Sequence, residues 1–167
     1  MRARLLGSER SATAIEFALI AAPLFALLIA ILETGLVFFS QQVLQTATTQ
    51  TARLIMTGQA QLGGLTAAQF LADVCNNATP VLACNDIDVN VQTFASFSSM
   101  TMENPLQNGQ FNQAAMDYNV GGPGAIVLVQ VFYELPVIDG PLGFTLANMA
   151  GNSRLLQATA VFRNEPY

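Results

Sequence analysis

The chain opens its pattern with a nearly unbroken apolar run over residues 12–39, ATAIEFALIAAPLFALLIAILETGLVFF, in which only Glu16 and Glu33 carry charge. Residues 17–39 supply 23 positions where a bilayer core needs roughly 20 in a helix. This predicts a transmembrane helix. A carboxylate at mid-depth costs about 2.5–3.5 kcal/mol on insertion scales, which makes Glu16 and Glu33 candidate functional residues. Pro23 removes one backbone hydrogen bond within the span, and a kink there is tolerable because neighbouring groups re-satisfy the backbone. After residue 39 the pattern becomes amphipathic. Val43, Leu44, Ala47, Leu54, Ile55 and Gly58 recur at helical spacing, with Gln and Thr elsewhere. The helix is therefore expected to continue into water to about residue 58 and to bury its stripe on the domain that follows.

Beyond Gly63-Gly64, Thr66 reads as the N-cap of a short helix over residues 67–74, with Asn76-Asn77 and Pro80 as turn residues. Residues 87–94 alternate Ile87, Val89, Val91 against Asp88, Asn90, Gln92, the pattern of a half-buried strand. Residues 125–135, AIVLVQVFYEL, are apolar on both faces and predict a central strand stopped by Pro136. Residues 154–163 place Leu156, Ala158, Ala160 and Phe162 on one face of a third strand. Two connections are long. Residues 96–124 are rich in Ser, Asn, Gln and Gly, with a helical hint over 106–116. Residues 136–153 hold Asp139-Gly140-Pro141 and the apolar Leu142, Phe144 and Leu146. The expected fold class is α+β: a long N-terminal transmembrane helix continuing as a spine, with a small extracytoplasmic antiparallel sheet of about three strands. The segments are 1–11 cytoplasmic and leader-like, 12–39 transmembrane, 40–62 helix continuation and 63–167 a small α+β domain.

Charge orients the span. All six cations are Arg; Arg2, Arg4 and Arg10 precede it, and none follows until Arg53. The positive-inside rule puts the N-terminus in the cytoplasm. A cleaved secretory signal is opposed by the length of the apolar run and by the lack of a small-x-small site before Ser40. With a net charge of −5 and no basic patch, there is no electrostatic case for nucleic acid. The chain has no histidine, which excludes imidazole metal sites and histidine triads, and its outer carboxylates are scattered. Neither a GxSxG motif nor a phosphate loop after a strand occurs, so an enzyme is not expected and no cofactor is implied. Cys75 and Cys84, in an extracytoplasmic domain, are most simply one disulfide, with free thiols as the rival reading.

Ser11 followed by ATAIEF resembles the N-terminus of type IV pilins and pseudopilins. Cutting after Ser11 would make Ala12 the first mature residue and Glu16 the fifth, with Phe17 next. More specifically, AIEFALIAAPLFALLIAILETG, the QQVLQTA after it and the terminal TAVFRNEPY resemble the TadE-like family of the tight adherence (Flp) pilus system. The resemblance implies a pilin-like fold and a minor pilin-like subunit of the bacterial inner membrane, able to enter a surface pilus. Its implied partners are other pilin-like subunits, the tight adherence assembly platform and a prepilin peptidase. Gly is usual before the scissile bond and Ser11 stands there, so two outcomes remain open: a processed subunit, or a permanently anchored one. In the first, Glu16 pairs with the amine of a neighbouring subunit. In the second it sits at headgroup level beside Arg10. Glu33 either reaches the outer interface or makes an inter-subunit contact. The alternative function is an anchored periplasmic or surface adhesion module that binds through residues 96–124.

Overall fold

The computed structural model describes residues 9–102 and 104–167. The first eight residues of the leader-like segment and Glu103 lie outside it, as do the side chains of residues 9–12 and of Leu142. Helix α1 runs unbroken from Glu9 to Met56, through Pro23, in agreement with a span that continues as a spine. It ends where Gly58 adopts φ 77°, the left-handed conformation that terminates helices at least cost on glycine. A single turn, α2 (Gln59–Leu62), leads to α3 (Ala67–Ala78).

Thr66 caps α3 as expected. Its hydroxyl accepts from Gln69 N, and the Gln69 side chain accepts from Thr66 N in return. The helix is four residues longer than the pattern predicts, so Asn76 and Asn77 are helical rather than turn residues. Asn77 is held there by its own side chain, which donates to Asp73 O and to Thr51 Oγ1 of α1. Phe70, Val74 and Ala78, one face of α3, are buried. Cys75 of α3 is disulfide-bonded to Cys84, which opens the short turn before the first strand; their Cα atoms are 5.4 Å apart.

Three strands form an antiparallel sheet: β1 (Ile87–Phe94) pairs with β4 (Ile126–Pro136), and β4 with β5 (Ser153–Arg163), giving the order β1-β4-β5. Val91 pairs with Val129 and Val129 with Ala160, so the face of Ile87, Val91, Val127, Val129, Val131, Leu156 and Ala158 is continuous and joins the core with α1 and α3. On α1 the buried stripe is Leu44, Ala47, Thr48, Thr51, Ala52 and Ile55. Two of these depart from expectation, which set the threonines outside the stripe. Each buried hydroxyl donates to the carbonyl four residues back, Thr48 to Leu44 and Thr51 to Ala47, so burial leaves no hydroxyl proton unpaired.

Where a helix was suggested over residues 106–116, a hairpin stands instead: β2 (Leu106–Gln107) and β3 (Gln110–Phe111). The turn between them is Asn108-Gly109 with φ 53° and 74°, the positive pair that a two-residue hairpin turn requires and that Asn-Gly supplies most readily. The hairpin folds over the outer sheet face, where Phe111 packs on Phe132. Beneath it, buried Asn90 donates to Gln130 Oε1 and accepts from Asp117 N. Residues 117–119 then bridge the β1 edge, with Val91 N–H donating to Asp117 O and Asn119 N–H to Val91 O.

Tyr118, carried by that bridge, packs against Phe70, and its buried hydroxyl has no partner among the described residues. Burial, and then the nearby Asp73 carboxylate, push its phenol above the ordinary value. A folded-state value above the unfolded one, near 10, contributes stability that is complete below about pH 10 and lost as pH rises through the folded value. Tyr118→Phe is expected to be close to neutral at pH 7 and to flatten the loss of stability above pH 10, as read by chemical denaturation across that range.

Candidate membrane span and assembly surface

Most of the surface of α1 before residue 40 is apolar and uncovered. Phe17, Ile20, Phe25, Leu32, Leu36 and Phe38 point outward around it, and Thr13–Met56 contains a window long and apolar enough to cross a membrane. A bilayer offers such a surface what water cannot. Glu16 and Phe17 stand exposed on the first turns, Phe17 at 70%. Ser11 and Ala12 lie within α1, so the bond between them is helical in this structure.

One narrow flank of the same helix is covered: Ala26, Glu33, Val37 and Ser40 are buried in line with Leu44. Glu33, only 9% exposed, has a partner in its own chain. Its Oε1 accepts from Ile138 N at 2.9 Å, while Oε2 has no partner among the described residues. The carboxylate thus ties the connection after β4 to α1, a contact 105 residues apart that no local pattern could announce. Next to it, Thr34 returns its hydroxyl to Ala30 O.

The decisive residues above the span are two glutamines. As the outer strand of its sheet, β5 turns every second pair of backbone groups away from β4. Gln41 Nε2 donates to Gln157 O at 2.8 Å; Gln45 Nε2 donates to Thr159 O at 3.1 Å, and Gln45 Oε1 accepts from Thr159 N at 3.4 Å. At the other end of the strand the Asn148 side chain does the same for Leu155 N and O. The helix therefore serves as a surrogate strand, and the edge is protected along most of its length. Sequence reasoning grouped both glutamines with the solvated positions. Their spacing of four, which sets both on one side of the apolar stripe, is the available signal.

Past Thr159 this cover ends. An open groove of about 430 Å³ separates α1 from β5 there, lined by Thr49, Ala52, Arg53, Met56, Val161 and Phe162. The chain's end closes the far side of the domain. Glu165 N donates to Met56 O, the buried Asn164 side chain donates to Val120 O and Gly122 O, and the Tyr167 ring occupies the space a Cβ on Gly58 would need. Within residues 96–124 the hairpin lies against the outer sheet face through Phe111, Phe97 and Met102 are exposed, and a cavity of about 30 Å³ between Asn90, Gln130, Phe132 and Met116 has room for about one water. Among the described residues no three His, Cys, Asp or Glu side chains converge on a point that could hold a metal.

Residues 12–53, 42 of the chain's 167, match the family model described as TadE-like protein. That stretch is nearly the whole of α1 and contains Glu16, Glu33, Gln41 and Gln45. No curated protein and no solved structure matches the chain.

Two substitutions test the ties between span and domain. Gln45→Ala is expected to cost about 1–3 kcal/mol, because it strips two bonds from Thr159 in a half-covered place. Glu33→Leu is expected to accelerate amide exchange at Ile138 while leaving Val91 and Val129 protected. Unchanged exchange at Ile138 would show the carboxylate to be idle.

Proposed function

We propose that this chain, TadE-like over residues 12–53, is a single-pass, pilin-like assembly subunit of a tight adherence pilus: a minor pilin or pseudopilin that primes or caps the filament, or couples it to the secretion complex. The observation that carries the reading is α1 itself. It is an apolar helix of membrane length, exposed nearly all round, joined without a break to a spine on which a three-stranded sheet is packed. An apolar rod of this kind can exchange a lipid environment for a bundle of identical rods, since both remove the same surface from water.

In this reading residues 1–11 are a cytoplasmic leader, 12–39 cross the inner membrane, 40–62 continue the helix outside, and 63–167 form the periplasmic domain. A prepilin peptidase cuts between Ser11 and Ala12. Glu16, exposed amid apolar neighbours, then offers its carboxylate to the amine of an adjacent subunit, with Phe17 packing beside it. Glu33, buried on the covered flank, serves assembly by holding Ile138 and so setting the outer domain on its span. Its partners are pilin-like subunits and the assembly platform. A second reading, an anchored adhesion module, rests on the exposed Phe97 and Met102 of residues 96–124.

Intact mass of the membrane-extracted protein tests maturation: loss of residues 1–11 is expected, and a full-length mass would mean a stationary anchor. Glu16→Ala is expected to leave membrane insertion unchanged and to reduce piliation strongly. Normal piliation in that variant would remove the assembly role of Glu16.

A further inference from the structure

The connection between β4 and β5 reaches unusually far down the helix. Ile138 N lies 2.9 Å from Glu33 Oε1, and a helical side chain leans toward the N-terminus, so the carboxylate sits over the turn preceding its own Cα. The apolar exposed belt of α1, however, does not stop at Glu33. It continues through Leu36 and Phe38 to Phe39, six residues and about 9 Å further along the axis. A bilayer that covers this belt must also meet whatever stands beside Glu33.

What stands there is suited to that medium. Ile138 is 71% exposed, with no protein covering it. Four of the backbone donors around it are satisfied within the chain, Val137 N by Asn152 O, Ile138 N by Glu33, Gly140 N by Phe144 O and Phe144 N by Pro141 O, while Pro141 has none to satisfy. Each such pairing lowers the cost of setting irregular backbone at the lipid boundary. The one charge in the segment, Asp139, is drawn aside by a hydrogen bond from Asn152, just before β5.

We propose that residues 137–144 are a second membrane contact, a lip of the outer domain resting at the boundary of headgroups and acyl chains with Ile138 inserted among the lipids. Glu33 is its positioning residue. The lip fixes the height and rotation of the domain on its span, so the sheet stands braced against the membrane instead of hinging at residue 40. The inference rests on the reading that α1 crosses a bilayer.

The test uses the full-length chain in vesicles of phosphatidylethanolamine and phosphatidylglycerol, with Cys75 and Cys84 left paired. One added cysteine, at Ile138, Leu24 or Leu62, carries an environment-sensitive fluorophore. Leu24 lies in mid-span, and Leu62, 77% exposed, lies at the far end of the domain. The Ile138 probe is expected to be blue-shifted, and to lose emission when the lipids carry a spin label high on the acyl chain. The Leu62 probe should show neither change. Overturning results are an Ile138 probe that behaves like the Leu62 probe while Leu24 is quenched, or one shielded from aqueous iodide yet untouched by spin-labelled lipid, which would mean a protein partner. An unquenched Leu24 probe would remove the span, and the lip with it.

Discussion

The docking of the β5 edge on α1 is the contact on which the rest of the molecule depends. Gln41 and Gln45 complete the outward backbone groups of Gln157 and Thr159, and the Leu44–Ile55 stripe buries one face of the sheet at the same place. Without it β5 would be a bare sheet edge, open to pairing with other chains. With it, a helix that begins as an apolar rod becomes the missing strand and the missing core layer of a small domain. Orientation follows as well: since both glutamines bond to one strand, the sheet cannot rotate about the helix without losing them.

That dependence explains how a domain of about a hundred residues holds a layered fold on a three-stranded sheet. A sheet of this size has too little surface of its own to close a core. The spine and α3 supply one side of it, and the hairpin of β2 and β3 covers the other. The Cys75–Cys84 bridge fastens α3 to the start of β1, and the chain's end returns to Met56 and Gly58, so the free end of α1 is clasped as well. The glutamines and the stripe fall within the TadE-like stretch, or within a turn of its end, whereas the strands they serve lie outside it. The recognisable part of the chain is thus the part that carries two surfaces at once, an exposed apolar one before residue 40 and a sheet-binding one after it.

Glu33 has a comparable double position. Its neighbours Leu32 and Leu36 face outward, while it turns to the covered flank and holds Ile138. A carboxylate in an apolar run looks costly when the run is read as a cylinder facing lipid. It costs less on the single line of the helix that the protein itself covers, where a backbone donor meets it.

Periodicity by itself determined the long helix, the central position of β4 and the two flanking strands, while residue type pointed to the Thr66 cap and, as the simpler of two readings, to the pairing of Cys75 with Cys84. Each follows from local chemistry: apolar length, alternation, a hydroxyl before a helix. It misjudged α3, because an Asn pair reads as a turn until Thr51 is there to bond Asn77, and residues 106–116, where a loose helical pattern obscured the Asn108-Gly109 turn. Only the tertiary structure decided which polar residues are interior. Thr48 and Thr51 are buried because their hydroxyls close on their own helix. Gln41 and Gln45 matter because a strand more than a hundred residues later leaves its edge beside them, and Glu33 because a loop descends to it. A side chain's polarity is local, but whether it meets water, lipid or an unpaired amide depends on distant chain brought alongside.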